Sequence, residues 1–203
     1  VIPDILNLNS HMSVEALTVG VEGKNRNCPD SQVSGIEWEG DDIRNWNLGK
    51  LGLKALPESF GAIDVLGDLI LHENELQTLP TTFCGIYVKG TLDLRRNRLL
   101  VLPECFGQMR VGGALMLNDN QLKSLPDSIG SLTVGRFLDL SRNMLKELPD
   151  SFASLSAHGV MLHNNMLSVL PANFKDIHLE GRLFLYRNNL LPTVHPSDFV
   201  HVK

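Results

Sequence analysis

The chain has 203 residues, of which 43% are hydrophobic, and a formal net charge of −5 at pH 7. This composition is ordinary for a folded domain, and no apolar run approaches the roughly 18 residues that a membrane-spanning helix requires. The excess of acidic groups lies in residues 1–45, and the remainder of the chain is neutral. A nucleic-acid-binding protein carries a surplus of positive charge on one domain or face, so we expect no nucleic-acid binding. Because the sequence has no long apolar run, we also expect no direct insertion into a membrane.

Residues 1–45 lack the regularity of the rest of the chain. They contain a polar stretch, KNRNCPDSQ at residues 24–32, with two glycines shortly before it, and this composition predicts a loop. We interpret this part as an N-terminal capping segment, because the exposed end of a stacked array needs protection from water.

From Trp46 onward, one phrase is repeated about seven times. Residues 115–129 read LMLNDNQLKSLPDSI, and residues 138–152 read LDLSRNMLKELPDSF. An Asn recurs in this phrase at steps of 23, 23, 23, 22 and 23 residues, and the following Pro keeps the same single 22-residue step. Two independent residue types that share one period predict a repeat array. The asparagines are Asn74, Asn97, Asn120, Asn143, Asn165 and Asn188.

The residue types of the phrase predict the structure of one coil. Leu138 and Leu140 alternate with other residues, so they form one face of a short strand. Stacking buries these leucines as a column under a parallel sheet with one short strand per coil. The Asn amide both donates and accepts, and when turned inward it satisfies backbone groups where the chain leaves the sheet. Apolar side chains should lie under short helical turns on the opposite side; these are Phe60, Phe83, Phe106, Ile129, Phe152 and Phe174.

The phrase L-x-L-x-x-N-x-L-x-x-L-P resembles the leucine-rich repeat family, and the variant V-x-G-x-L-x-L is similar to repeats in long protist and algal arrays. The resemblance implies an α/β solenoid, a right-handed horseshoe with a concave parallel β-sheet and short helical or 3-10 turns on the convex side. We assign residues 46–191 to an array of about seven coils and residues 192–203 to an irregular tail. The capping segment is similar to plant-type caps, which two cysteines usually staple, whereas only Cys28 is present here.

The three cysteines, Cys28, Cys84 and Cys105, form no C-x-x-C pair and no zinc-binding spacing with histidine. An odd count without a framework favours reduced thiols, so we expect three free thiols, with Cys84 and Cys105 buried on the convex side. The sequence has no N-x-[ST] site, which disfavours a glycosylated ectodomain. These observations predict an intracellular location, in the cytoplasm or an organelle interior, rather than secretion.

No arrangement of residues predicts catalysis. His72 and His163 occupy one repeat position four coils apart, which is roughly 20 Å at about 4.8 Å per strand, and His195 and His201 lie in the tail. Residues 20–25 (GVEGKN) lack the spacing of a phosphate-binding loop, and no nucleophile stands beside a base in a known motif. We expect no enzyme activity, no metal, no cofactor and no small-molecule substrate.

The variable strand positions should form a binding surface on the concave face, because the repeat does not dictate them. The early coils carry arginines and the late coils carry Met and aromatic residues, which are types enriched at protein interfaces. Two other interpretations stay open: the Met and Phe side chains fill gaps between coils, and the arginines form a solvated face. The candidate protein-binding residues are Met116, Met161, Phe184, Tyr186, Arg142, Arg187, Arg95 and Arg96.

We therefore predict a non-enzymatic protein–protein interaction module, an adaptor or an accessory or structural subunit of a larger assembly that binds through the concave face. The alternatives are a ligand-sensing receptor ectodomain and the targeting domain of a larger enzyme. At the C-terminal end the phrase loses its register, so we expect Leu190, Leu191 and Val194 to be covered by further chain or by a partner.

Overall fold

The computed structural model describes residues 35–39 and 42–190 of the protein. These residues form short β-strands and single-turn 3-10 helices in alternation. The strands are β1 (Gly35–Glu39), β2 (Asp42–Asn47), β3 (Asp64–Val65), β4 (Leu69–Ile70), β5 (Tyr87–Val88), β6 (Leu92–Asp93), β7 (Arg110–Val111), β8 (Leu115–Met116), β9 (Thr133–Asp139), β10 (Ser156–Met161) and β11 (Leu183–Phe184). The 3-10 helices are η1 (Glu58–Ala62), η2 (Thr81–Gly85), η3 (Phe106–Gln108), η4 (Asp127–Ser131), η5 (Asp150–Ser154) and η6 (Phe174–Asp176).

The strands form two parallel ladders that share their longest members. The first ladder contains the leucine-bearing strands in the order β2, β4, β6, β8, β9, β10 and β11. The second ladder contains β3, β5 and β7 and connects to β2 at one end and to β9 and β10 at the other. The predicted solenoid, with its concave parallel sheet and short 3-10 turns, is confirmed.

Three coils carry two short strands each, so the expectation of one strand per coil is wrong. The chain bends between the two strands at a glycine, and these glycines stack on one another. The Gly113 N–H donates to the Gly90 carbonyl at 2.8 Å, and a Cβ on Gly113 would lie 2.6 Å from the Gly90 carbonyl carbon. Only a residue without a side chain permits this approach. In β9 the corresponding stretch contains Arg136 and Phe137, and the strand continues without a bend.

Strand β2 extends across the predicted boundary between residues 1–45 and the array. Ile43 pairs with Val65, and Trp46 pairs with Leu69, so β2 takes part in both ladders. On its other edge β2 pairs antiparallel with β1, which covers an edge that would otherwise be open. The division at residue 45 stays a prediction.

The interior is a column of leucines with a parallel row of aromatic side chains. In one coil, Leu69, Leu71 and Leu76 are fully buried, and each such side chain contributes about 1.5–3 kcal/mol through burial. Trp46 closes the N-terminal end and stacks on Phe60, with ring centroids 5.4 Å apart. The apolar residues expected under the convex turns are buried; they are Phe60, Phe83, Phe106, Ile129, Phe152 and Phe174.

Each repeat asparagine joins two coils through its side-chain amide. The Asn120 Nδ2 donates to the carbonyl oxygens of Leu94 and Leu117, both at 3.0 Å, and its Oδ1 accepts the Leu99 N–H at 3.0 Å. Leu94 and Leu99 belong to the preceding coil and Leu117 to its own, so one side chain satisfies three buried backbone groups. The same pattern occurs at Asn74, Asn97, Asn143, Asn165 and Asn188.

The residue before each of these asparagines lies in the left-handed region of the backbone. Its N–H still donates to the next coil, as from Arg96 to the Asn118 carbonyl at 3.0 Å. This conformation turns the chain into the core, while the left-handed residue itself remains at the surface. These six residues are Glu73 (φ 54°), Arg96 (φ 53°), Asp119 (φ 56°), Arg142 (φ 53°), Asn164 (φ 55°) and Arg187 (φ 56°). Lys50 (φ 61°) has the same conformation at the same repeat position of the first coil, where Leu51 stands in place of the asparagine.

Cys84 and Cys105 form a disulfide bond on the convex side, with Cα atoms 5.9 Å apart. The expectation that these two cysteines are free thiols is therefore wrong. By the repeat frame they are offset by two positions, but η2 starts one residue after Pro80, whereas η3 starts three residues after Pro103. The later start of η3 leaves Cys105 at its N-terminal end, where it reaches Cys84 of the preceding coil.

Several expectations concern parts of the chain that lie outside the described residues. They include the third cysteine, the glycine-rich loop, the two tail histidines and the C-terminal tail; these are Cys28, residues 20–25, His195, His201, Leu191, Val194 and residues 192–203.

Candidate functional site on the concave face

Three side-chain positions in each coil belong to the outer surface of the leucine ladder. The first position lies between the two strand leucines, the second follows the second leucine, and the third is the left-handed residue. The first positions are Asn47, Ile70, Asp93, Met116, Asp139, Met161 and Phe184. The second positions are His72, Arg95, Asn118, Ser141, His163 and Tyr186, and the third positions begin with Lys50 and Glu73 and end with Arg187.

From Asn47 to Met161 the first positions alternate between short polar and apolar side chains, and the last one, Phe184, is again apolar. The Asp139 carboxylate accepts the Ser141 N–H at 2.9 Å, and Asp93 accepts the Arg95 N–H in the same way at 3.1 Å. These acids fold back onto their own strands and are buried. Since β9 lies between β8 and β10, Asp139 separates Met116 from the later apolar residues, and Met116 is not part of their cluster.

The arginines of the early coils are paired with acidic groups of the same chain. Arg95 lies 3.2 Å from Asp93 on its own strand, and Arg96 lies 3.2 Å from Glu73 of the preceding coil. Arg98 similarly lies 3.1 Å from Glu75. The structure therefore places the predicted residues Arg95 and Arg96 in a surface whose charges are already matched.

Two carboxyl groups in this early part have shifted pKa values. Burial raises the pKa of Asp93, and the N–H and the charge of Arg95 offset that effect only in part. Burial also acts to raise the pKa of Glu73, but the charges of Lys50 and Arg96 outweigh it and hold that pKa below its ordinary value. Glu73 is thus held as a carboxylate between cations of the coils on either side.

The late coils carry a group of side chains that we call the terminal aromatic cluster: Met161, His163, Phe184 and Tyr186. Met161 and Phe184 are paired residues of β10 and β11. The rings of His163 and Tyr186 stack with centroids 4.6 Å apart, and the Phe184 ring meets Tyr186 edge-on at 6.3 Å. Such ring pairs contribute about 0.5–1.5 kcal/mol beyond their burial. Tyr186 nevertheless remains 55% exposed, and Met161, His163 and Phe184 are half-buried. The rings therefore support one another, and part of the cluster remains accessible to solvent.

His163 is the member of this cluster that the sequence did not single out as a binding residue. It shares its position with Tyr186 of the next coil, and residues at one position of neighbouring coils lie about 4.8 Å apart. That relation was available from the repeat frame, whereas the histidine was considered only as a metal ligand. Its Nδ1 has no hydrogen-bond partner among the described residues.

Four exposed arginines border the terminal aromatic cluster: Arg136, Arg142, Arg182 and Arg187. Arg136 lies two residues before the first leucine of β9, and Arg182 directly precedes β11, so both lie before the cluster along their strands. Arg142 and Arg187 lie after it, at the third positions. Arg142 is 3.8 Å from Asp119, and the other three make no ion pair with any residue that the structure describes.

The described part of the chain has no group of three or more residues suited to hold a metal ion. Within residues 35–39 and 42–190, no helix has the length and the apolar character needed to cross a membrane.

Comparison with known proteins agrees with the repeat and its geometry. A family profile described as Leucine Rich Repeat matches residues 136–155, which contain the strand, asparagine and convex turn of one coil. The chain is a leucine-rich repeat protein. No curated protein matches this leucine-rich repeat protein in sequence.

Solved structures with a similar fold come from bacteria and from an insect. A leucine-rich repeat protein of Leptospira interrogans is 28% identical with a TM-score of 0.48, over 74% of this chain and 44% of that chain. YopM from Yersinia enterocolitica is 24% identical with a TM-score of 0.54, over 79% and 32%. A chain of the Drosophila Toll–Spatzle complex is 24% identical with a TM-score of 0.51, over 68% and 20%. This chain spans less than half the length of each of these proteins.

Proposed function

We propose that this leucine-rich repeat protein is a non-enzymatic protein–protein interaction module, an adaptor or an accessory subunit that binds its partner through the concave face. Solenoids of stacked repeats present an extended concave surface, and binding to that surface is their general use. One of the similar solved structures is itself a protein–protein complex, Toll with Spatzle, and this supports a protein as the partner.

The terminal aromatic cluster is the observation that carries this proposal. It brings three apolar or aromatic side chains to one surface, where Tyr186 is 55% exposed and Met161 and Phe184 are half-buried. A contiguous exposed apolar patch on a folded protein usually marks an interaction site, and aromatic and Arg side chains supply most of the binding energy of interfaces. Side chains that only fill gaps between coils would be buried like Phe152 and Phe174.

The paired arginines of the early coils support a secondary role for that region. Arg95 and Arg96 already have acidic neighbours at 3.2 Å, so a partner would have to displace those neighbours to pair with the guanidinium groups. We therefore place the principal contacts at the late coils and keep Arg95, Arg96 and Met116 at the margin of the interface.

The disulfide bond between Cys84 and Cys105 supports an oxidising compartment for this module. Disulfide bonds persist in extracellular and related compartments and are rare where thiols are kept reduced. The expected location in a reducing compartment rested on the odd number of cysteines and on the lack of an N-x-[ST] site, whereas the disulfide bond between the two convex turns argues for an oxidising compartment.

The double change Phe184→Ala with Tyr186→Ala tests the proposed interface. Truncation of interface anchors costs roughly 2 kcal/mol or more of binding, so the variant should lose a partner that the unchanged chain captures from its native source. Crosslinking with mass spectrometry would identify that partner first. Circular dichroism and the melting temperature should change little, because removal of a true core ring such as Phe152 costs roughly 3–5 kcal/mol of folding.

Tyr87→Ala with Val101→Ala provides the matched control, because both side chains are exposed but lie away from the late coils, at 43% and 51%. This control should keep the partner. If the Phe184/Tyr186 variant retains the partner while its melting temperature falls, the rings are packing and the proposed interface is wrong.

A further inference from the structure

We propose that the concave face of the last three coils binds an acidic peptide segment, and that one bulky apolar side chain of this segment sits on the terminal aromatic cluster. This proposal rests on the proposed function and adds the chemistry of the partner. It follows from two features that coincide at one end of the array: a partly open apolar centre, and three arginines, Arg136, Arg182 and Arg187, that make no ion pair with any described residue.

The apolar centre fits a single large side chain. Met161 and Phe184 form its base as paired residues of neighbouring strands, and the stacked rings of His163 and Tyr186 form its wall, with centroids 4.6 Å apart. The rings hold one another in place, so a ligand would meet a surface that is already ordered. Met adapts its shape to irregular apolar groups, which suits an aromatic or a branched aliphatic side chain.

The charges beside this centre are arranged on both sides of it. Arg182 and Arg187 precede and follow the same strand, at a separation of up to roughly 16 Å for an extended chain. Arg136 lies within β9, before Leu138, and Arg142 follows the end of β9. A segment lying on the apolar centre would therefore have guanidinium groups on each side, and carboxylates flanking its apolar side chain would pair with them.

Two acidic groups close to these arginines in sequence have other contacts. The Asp139 carboxylate accepts the Ser141 N–H at 2.9 Å and is buried, and Glu180 lies 3.5 Å from His158. In the early coils, by contrast, Glu73 and Glu75 each neutralise an arginine. Among the described residues of the concave face, the arginines without an ion pair, Arg182 and Arg187, thus lie at the late end.

Arginines beside aromatic rings also occur in proteins that bind single-stranded nucleic acid. Such proteins need a basic groove that follows the phosphate backbone over many nucleotides. Here Arg182 and Arg187, which make no ion pair with any described residue, lie at one end of the array, while Arg95 and Arg96 of the early coils are paired with acids. The whole chain carries a net charge of −5. These observations favour an acidic peptide over a nucleic acid.

Selection from a displayed library of random peptides of about 12 residues tests this chemistry, with the full chain immobilised. Clones that also bind the Phe184→Ala, Tyr186→Ala variant are removed. We expect the surviving peptides to carry a Leu or aromatic residue beside at least two acidic residues. Replacing the acidic residues of the best peptide by Gln should weaken its binding about tenfold or more, measured by fluorescence anisotropy.

Variants of the protein provide the matched comparison. Arg182→Ala with Arg187→Ala should weaken binding of the acidic peptide about tenfold, whereas Arg96→Ala, which removes an arginine already paired with Glu73, should change it less than about twofold. Raising the salt concentration from about 50 to 300 mM should weaken binding of the acidic peptide and leave binding of its Gln version nearly unchanged.

Three results would overturn the proposal. If the selected peptides depend on Phe184 and Tyr186 but are not acidic, the proposed interface stands and the acidic chemistry is wrong. If no peptide depends on those two rings, the chemistry and the proposed interface both fail. If an oligothymidylate binds more tightly than the best peptide and loses its binding in the Arg182/Arg187 variant, the site is one for nucleic acid.

Discussion

At the scale of single residues, the repeat asparagines explain why neighbouring coils stay in register. Asn143 donates to Leu117 of the preceding coil and to Leu140 of its own, at 3.0 and 3.1 Å. Its Oδ1 accepts the N–H of Leu122 at 3.0 Å. An amide is the side-chain group that supplies donors and an acceptor together, so no apolar or acidic side chain can replace it without leaving buried groups unpaired.

Asn120→Ala should therefore destabilise the fold by at least about 2 kcal/mol, because each buried backbone group left without a partner costs roughly 1–3 kcal/mol. Asn118→Ala is the matched control, since it deletes the same amide two residues earlier. The Asn118 Nδ2 bonds only to the Asp119 carboxylate, at 2.8 Å, and to no carbonyl of the core. Urea denaturation of both variants measures the difference, and equal losses would show that the inward asparagines have no special role.

Predictions for single residues were correct where the repeat dictates the residue type. Where it does not, the sequence did not determine the contacts of the side chain. The period identified the asparagines and the buried Phe side chains because each recurs at one position. The ion pair between Arg96 and Glu73 joins residues 23 positions apart, but the repeat frame alone does not say which way a long side chain turns. For that reason the sequence alone did not predict that Arg95 and Arg96 are paired with acids of the same chain.

At the scale of secondary structure, the disulfide bond ties the convex turns η2 and η3 of neighbouring coils. Cys84 and Cys105 are 21 residues apart. In the chain-entropy account, cross-linking a loop of this size stabilises the folded state by roughly 3 kcal/mol. The bond also holds together the two coils whose turns begin at different points after their prolines.

The double change Cys84→Ser with Cys105→Ser should lower the free energy of unfolding by about 2–4 kcal/mol. A reductant should destabilise the unchanged chain by a similar amount and leave the variant unaffected. Alkylation without reductant, followed by mass spectrometry, should label neither Cys84 nor Cys105 even after unfolding. Labelling of both residues in protein from its native source would contradict the bond.

The elements themselves were predictable from sequence where hydrophobic alternation marks them. The strands of the first ladder follow the alternating leucines, and the convex turns follow each Leu-Pro step. The second ladder was not predicted, because its strands are only two residues long in three coils, such as Tyr87–Val88. The glycines that follow these strands are typical of turns. The disulfide bond was not predicted, because it depends on the later start of η3, which the sequence period does not indicate.

At the scale of the whole molecule, the concave face changes character along the array. Its early coils match each arginine with an acid of the same or the preceding coil. Its last coils carry the exposed ring of Tyr186 together with Arg182 and Arg187, which make no ion pair with any described residue. The fold requires neither arrangement, because these positions lie outside the leucine column. This difference is the reason for placing binding at the late end.

Photo-crosslinking from single positions tests this placement most directly. A benzoylphenylalanine in place of Tyr186, on the concave face, is compared with one in place of Tyr87, another exposed tyrosine, with both proteins returned to the native source. The account predicts that Tyr186→benzoylphenylalanine yields a crosslink to one protein partner and that Tyr87→benzoylphenylalanine does not. A crosslink to the same partner from position 87 alone would place the interface away from the terminal aromatic cluster and contradict the account.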